Sequence, residues 1–302
     1  MNILVTGATG FIGSNLLAVM VNKDTLKEHN IVVLTNGNLD DSRFKCIYNK
    51  NFHFTKQDFL EQGVSKIDIV MHLGAFTPKS FLESNNISKS LSNINNTIYL
   101  CENLPNTPKK FIFTSTLDVY SSVEGSITEG TPTIPQSLYG QSKLFCEKML
   151  EQWSTENGVV LQILRVGHIY GRGEDSYKKI IPATIKAILA GQKPIVFSAG
   201  SELRSFLNVT DCCNLILKAI ELEEYKQPIN LVSEQPISVL ALVNMIVEIS
   251  KQNVEVEIIR QNNYTRDFIF DNTKMKANLG VETISLRTGL EEEYEYFKSK
   301  QN

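Results

Sequence analysis

Tyr139 and Lys143 stand four residues apart in the run Tyr139-Gly-Gln-Ser-Lys143. On a helix that spacing puts both side chains on one face. A free tyrosine has a pKa of about 10 and is too weak a base at neutral pH. A nearby ammonium favours the phenolate and lowers that pKa. The pair therefore suits proton transfer to or from a carbinol while a hydride moves at its carbon. The same spacing recurs at Tyr294/Lys298 and Tyr296/Lys300, where it reads as solvated helix surface. Tyr139 differs in its place, downstream of an apolar run that ends in hydroxyls, Phe111-Ile-Phe-Thr114-Ser115-Thr116. Those hydroxyls either satisfy their own turn or serve the reacting oxygen.

A second stretch indicates what takes the hydride. The chain opens on Asn2-Ile-Leu-Val-Thr-Gly7-Ala-Thr9-Gly10-Phe11-Ile12-Gly13. Ile3–Val5 reads as a buried strand, and Leu16, Leu17, Val19 and Met20 continue as an apolar helical pattern. A glycine turn between a strand and a helix suits a diphosphate, because free N–H groups and the helix dipole both point at it. Gly7 turns the chain, Gly10 lets backbone approach the phosphates, and Gly13 lets helix pack on strand. A carboxylate about 20 residues after the glycines normally holds the ribose 2′-hydroxyl of NAD. That slot is Thr35-Asn36-Gly37, with Asp40, Asp41, Arg43 and Lys45 following. Without the acid a 2′-phosphate is not repelled, and Arg43 either pairs with it or touches only water. The pattern leans slightly to NADP over NAD.

The 302 residues hold one large domain or two modest ones. The apolar and charged fractions, 42% and 21%, are those of a soluble globular protein. A net charge of −3 with scattered basic residues offers no face for nucleic acid or an anionic membrane. No apolar run approaches the roughly 20 residues of a membrane span. The start on a strand, with no charged leader, and five dispersed cysteines without a CxxC point to reduced thiols and a cytoplasmic protein. Neither the cysteines nor the four scattered histidines form a metal site.

Apolar runs alternate with helical patterns, which predicts βαβ units and a parallel sheet. Strands are expected at Ile3–Val5, Ile31–Leu34, Phe52–Phe54, Ile69–His72, Phe111–Thr114, Val160–Leu164, Asn230–Val232 and Val256–Ile259. Helices are expected near Gly13–Val21, Ser90–Glu102, Leu138–Trp153, Ile180–Ala190, Asp211–Leu222, Val239–Ser250 and Leu290–Lys300.

The GxxGxxG spacing and its flanks resemble the extended short-chain dehydrogenase/reductase family of NAD(P)-dependent nucleotide-sugar epimerases, dehydratases and reductases. The likeness runs from Gly7 to Gly280. It implies a Rossmann-type doubly wound parallel sheet with a smaller C-terminal α/β substrate domain. The first would cover 1–164 plus about 206–225, and the second the remainder of 165–302. In the family an Asp after the third strand accepts from the adenine amino group; here that is Asp58, followed by Phe59, and helix capping is its other reading. His72-Leu73-Gly74-Ala75 resembles the family's HLAA, whose small residues admit the cofactor, and His72 itself reads as a packed strand residue. Asn93-Ile-Asn-Asn-Thr97 resembles NxxGT, with Asn93 at the bend that meets the cofactor. Thr114 and Ser115 would line the cofactor, and Thr116 matches the hydroxyl that bonds the reacting oxygen beside the tyrosine. Dehydratases carry Thr-Asp-Glu where this chain has Thr116-Leu117-Asp118; Leu117 cannot donate a proton, and Asp118 is left for a substrate hydroxyl. Arg165-Val-Gly-His168-Ile-Tyr-Gly171 resembles LRxxNVYG, with His168 replacing the substrate-contacting Asn. Arg204-Ser-Phe-Leu-Asn208-Val-Thr-Asp211 matches RxFxxVxD, and an arginine fork fits a diphosphate. Thr77 and, for a second phosphate contact, Arg260 or Arg266 complete the expected substrate contacts. Asp271-Asn-Thr-Lys274 with Leu279-Gly280 resembles a closing helix cap and stop.

The resemblance implies catalysis by Thr116, Tyr139 and Lys143 at C4 of a nucleoside-diphosphate sugar, with no metal. Reduction of a 4-keto nucleotide sugar is the first expectation and 4-epimerisation the alternative. A catalytically inactive dinucleotide-binding regulator is the competing class, against which the retained Thr116, Tyr139 and Lys143 speak. An RNA-binding relative would need a basic face that is missing. The family pairs through the helices near Ser90–Glu102 and Leu138–Trp153, which implies a homodimer.

Overall fold

The computed structural model describes residues 1–300 except 24, 38, 40, 50, 81, 122, 124, 176, 226 and 260–266. Seven parallel strands form one sheet in the spatial order Ile229–Leu231, Val160–Val166, Lys110–Thr116, Ile69–His72, Asn2–Thr6, Asn30–Thr35, Lys45–Tyr48. The first strand sits inside, flanked by Asn30–Thr35 and Ile69–His72. Chain order therefore reverses beside it, the arrangement that opens a ligand crevice at the carboxyl ends of the strands. Helices Phe11–Asn22, Ile87–Asn103 and Leu138–Asn157 make the connections. The strands are buried along nearly their whole length, as parallel strands covered on both faces must be.

The chain divides into two compact units. One holds residues 1–121, 132–166 and 213–229, the other 122–131, 167–212 and 230–302. The first is built on a core that includes Leu4, Val32, Phe54, Phe59, Phe111, Phe113, Leu150 and Ile163. The second packs helices Ile180–Leu189, Val239–Ser250 and Leu286–Ser299 around Ile185, Leu242, Ile246, Leu290 and Phe297. Its strands His168–Tyr170, Leu203–Asn208 and Pro236–Ser238 form a separate small sheet.

One expected strand is elsewhere. The alternation Phe52-His-Phe54 predicts a strand, but the edge strand is Lys45–Tyr48, paired in parallel from Val32↔Lys45 to Thr35↔Tyr48. Asn51 and Phe52 take positive φ angles of 62° and 59°, which ends any extended run there. Phe54 turns into the core, and its carbonyl accepts from the Tyr99 hydroxyl at 2.9 Å. The closing helix runs Thr273–Leu279, with Asp271 accepting from Thr273 N–H and Gly280 left-handed at its end. Among the described residues no helix is long and apolar enough to cross a membrane, and all five cysteines are free.

Candidate active site

The glycine turn is close-packed. Gly7 has φ +71°, and a side chain on it would run into Gly74 N; one on Gly13 would strike the Gly7 carbonyl. Gly10 is exposed and caps helix Phe11–Asn22 without any side-chain bond, and a Cβ there would meet only the Gly7 oxygen, at 3.2 Å. Thr9 is exposed, and Phe11 and Ile12 are half-buried at the same end. The helix N-terminus thus presents backbone and dipole to an anion, as a dinucleotide diphosphate requires. A further sign comes from Ser115, whose buried Oγ has no hydrogen-bond partner among the described residues.

The adenosine end departs from the sequence reading. Thr35 is buried, and its hydroxyl bonds around the Gly37 peptide. Asn36 beside it is exposed. Arg43 does not offer an open fork: Nε and Nη2 bond to the Asp41 carboxylate at 2.8 and 2.6 Å. Asp41 pairs with the Arg43 charge, one of the two features behind the lean to NADP; the other, the lack of a carboxylate at Thr35, stands. Asp58 Oδ2 accepts from both the N–H and the hydroxyl of Thr55, so the capping reading of Asp58 is realised as a capping box. The Phe59 side chain is core.

Leu73, Gly74 and Ala75 follow the fourth strand of the chain and are half-buried; Thr77 is exposed. Asn93 is buried and fully engaged. Its Oδ1 accepts from Phe76 N at 2.7 Å, and its Nδ2 donates to Phe76 O and Ser142 Oγ. Asn93 therefore shapes the loop at Phe76, the bend at which the sequence places it.

Helix Leu138–Asn157 starts on Ser137, whose hydroxyl accepts from Gly140 N. A Cβ on Gly140 would overlap the Asp118 carbonyl, so the first turn lies on the bend that follows Thr116. Tyr139 and Lys143 are both buried. Tyr139 meets Phe76 edge-on at 6.3 Å. Lys143 Nζ lies over the Phe113 ring, 4.1 Å from its centroid. Burial pushes Lys143 down to about 8, against the upward pull of Cys146 and Glu147. Thr114 donates to His72 O, while Thr116 Oγ1 accepts from Asp118 N and keeps its proton to donate. Asp118 is exposed.

The second unit has a cavity of about 410 Å³. His168, Lys179, Phe197, Glu202, Arg204 and Phe206 are among its lining. His168 is packed among Phe206, Phe268 and Phe270, and its buried Nδ1 has no partner among the described residues. Burial, then Arg204 and Lys179, hold it down to about 4, so the ring is neutral at pH 7. Arg204 lies over Phe268 at 4.9 Å and donates to Leu203 O. Lys179, the N-cap of helix Ile180–Leu189, joins Arg204 in the cavity lining through the fold; the only sign of it in the sequence is a lysine at a helix N-terminus. Arg260 and Arg266 lie outside the described residues.

A glycine turn opening a helix on the inner strand of a seven-stranded parallel sheet defines a dinucleotide-binding fold. Residues 3–232 match the NAD dependent epimerase/dehydratase family, and the chain belongs to that family of enzymes. It is 28% identical over 270 residues to the uncharacterized UDP-glucose epimerase YtcB of Bacillus subtilis, covering 83% of this chain and 82% of that one. Its fold matches the UDP-glucose 4-epimerase of Thermotoga maritima, solved with UDP-glucose, with a TM-score of 0.87 and 26% identity over the full length of both chains. The UDP-glucuronic acid 4-epimerase of Bacillus cereus, solved with UDP-glucuronic acid and NAD, matches with a TM-score of 0.84 and 26% identity over 99% of this chain and 100% of that one.

Proposed function

We propose that this chain exchanges a hydride between C4 of a nucleoside-diphosphate sugar and bound NAD, and that the net reaction is epimerisation at C4. The observation that carries the reading is the buried ammonium of Lys143 one helical turn from Tyr139, on a helix seated against the bend after Thr116. The dinucleotide supplies the hydride acceptor and donor. Tyr139 takes the proton from the C4 hydroxyl and returns it, and the Thr116 hydroxyl donates to the same oxygen. The Lys143 charge favours the phenolate of Tyr139. Gly7, Thr9, Gly10, Phe11 and Ile12 hold the diphosphate, and Thr35 and Asn36 the adenosine. Leu73, Gly74, Ala75, Thr114 and Ser115 pack against the remainder. In the second unit Arg204 is assigned to the nucleoside diphosphate of the substrate, with His168 as a neutral contact. NAD is favoured over NADP by the Asp41–Arg43 pair. Epimerisation is favoured by the likeness to the two 4-epimerases of known structure.

Net reduction of a 4-keto nucleotide sugar is the second reading. Leu117 in place of an acid and His168 in place of an amide both support it. Stoichiometry separates the two. The enzyme is incubated with UDP-glucose, UDP-glucuronate and 4-keto-6-deoxy sugars linked to UDP, GDP, CDP or dTDP, with NADH or NADPH in excess. Interconversion of 4-hydroxy sugars without net oxidation of the dinucleotide supports epimerisation; one dinucleotide oxidised per product supports reduction. Dinucleotide binding with no turnover across the panel favours the inactive regulator instead. Mass analysis of dinucleotide released on denaturation checks NAD against NADP.

A further inference from the structure

His72 is buried at the end of its strand, yet both its ring nitrogens are used. Nδ1 lies 2.7 Å from Thr6 Oγ1, and Nε2 lies 3.0 Å from Thr97 Oγ1. The neighbouring bonds assign the proton. Thr97 spends its hydroxyl hydrogen on Asn93 O, at 2.7 Å, so it accepts from His72 Nε2–H. Nδ1 is then the acceptor, and Thr6 donates to it while accepting from Gly74 N at 3.0 Å.

Each end of this chain of bonds reaches a functional element. On one side Thr6 fixes Gly74, whose backbone lies against Gly7 so closely that neither residue admits a side chain. On the other, Thr97 holds the backbone of Asn93, whose amide donates to Ser142 Oγ, and Ser142 donates to the Tyr139 carbonyl at 2.7 Å. The Phe113 ring is a neighbour of both His72 and Lys143, 5.7 Å from the imidazole and 4.1 Å from the ammonium. A neutral imidazole spares the site a second buried cation, and burial with Lys143 nearby holds His72 down to about 3.

We infer that His72 is a positioning residue whose Nε2–H tautomer ties the glycine turn to the helix that carries Tyr139 and Lys143. One nitrogen sets the loop at Gly74 for the dinucleotide, and the other sets the helix for proton transfer. The inference rests on the reading of Tyr139 as the acid/base.

Three variants separate the halves. His72→Asn keeps an acceptor at the δ position for Thr6 and loses the bond to Thr97. His72→Gln keeps an amide donor at the ε position for Thr97 and loses the acceptor for Thr6. His72→Phe keeps the aromatic packing and loses both. Calorimetry with NAD⁺ alone is expected to show affinity weakened about fivefold in His72→Gln and His72→Phe and held in His72→Asn. With the best substrate of the panel, kcat is expected to fall about tenfold in His72→Asn and His72→Phe and to hold in His72→Gln. His72→Phe matching the wild type in both quantities overturns the inference. So does a parallel loss of both quantities in all three variants that tracks the melting temperature, or failure of all three to fold, since either makes His72 a core residue only. Tyr139→Phe serves as the control. Normal turnover there defeats the acid/base reading alone, and the NAD⁺ affinities then decide whether His72 sets the glycine turn.

Discussion

The ammonium of Lys143 rests on the face of Phe113, 4.1 Å from the ring centroid, on a side chain that is almost wholly buried. The ring supports the cation through its quadrupole, while burial works against it. The result is a lysine at about 8 in place of its usual 10.5. In the proposed mechanism Tyr139 depends on the charged form, so kcat/KM is expected to fall as pH rises through about 8. Lys143→Arg keeps the charge at all accessible pH and should move that limb upward while lowering the rate, since guanidinium does not fit the ammonium's place. Tyr139→Phe should cost about 10²–10⁴ in kcat at every pH. Steady-state rates between pH 6 and 10 check all three; an unchanged limb in Lys143→Arg removes Lys143 from the titration.

Gly10 and Gly140 should respond differently to a side chain. A Cβ on Gly10 meets one oxygen at 3.2 Å, so Gly10→Val is expected to fold and to lose dinucleotide binding by filling the space in front of the helix end. A Cβ on Gly140 overlaps the Asp118 carbonyl. Gly140→Ala should push the helix off the bend and lower kcat by about 10²-fold, with dinucleotide affinity little changed. Calorimetry with NAD⁺ and turnover on the same samples separate the two, and tight NAD⁺ binding by Gly10→Val would contradict the diphosphate site.

Much of this arrangement is legible in the residue order because it is local. Tyr139 and Lys143 are four apart, the three glycines lie within one turn, and the apolar runs mark six of the seven sheet strands. The edge strand was misplaced because Phe52 and Phe54 alternate like a strand, whereas Asn51 and Phe52 turn left-handed. Arg43 looked open because its pairing with Asp41, two residues away, needs a bend that composition does not announce. The residue order shows only packing for His72, since its partners Thr6 and Thr97 lie 66 and 25 residues away. The cavity of the second unit collects His168, Lys179 and Arg204 from separate elements, and no spacing rule joins them.

The pairing of two protomers is expected through helices Ile87–Asn103 and Leu138–Asn157. On the first of these helices Leu91 is exposed, whereas Ile94 packs against the core of its own unit. Ile87 and Phe145 add apolar surface, 74% and 51% exposed. Exposed apolar side chains on neighbouring helices are the mark of an association surface. Leu91→Lys combined with Phe145→Glu should give a monomer with its melting temperature nearly unchanged. Sedimentation at micromolar concentration checks this; a monomeric wild type ends the idea.

Glu293 is the least expected charge in the molecule. It lies in the second unit on helix Leu286–Ser299, 1% exposed, with neither carboxyl oxygen hydrogen-bonded by geometry among the described residues. Glu174 is buried beside it, and Lys179 comes within 3.3 Å of Glu174. One ammonium cannot offset two buried carboxylates, so burial and the neighbouring acid push Glu293 well above the usual carboxylate range; burial also raises Glu174. The sign follows from proton counting. The folded state keeps a proton that the unfolded chain releases above about 4.3. Stability from this pair is therefore fully present at acid pH and is lost as pH rises toward the folded-state value. Glu293→Gln removes the titration and retains the volume. It should leave stability near pH 4 almost unchanged and raise it progressively from pH 6 to 9, each kcal/mol adding about 2–4 °C to the melting temperature. Thermal unfolding of wild type and variant across that range provides the check. A constant offset between the two curves would mean that Glu293 does not hold its proton in the folded protein.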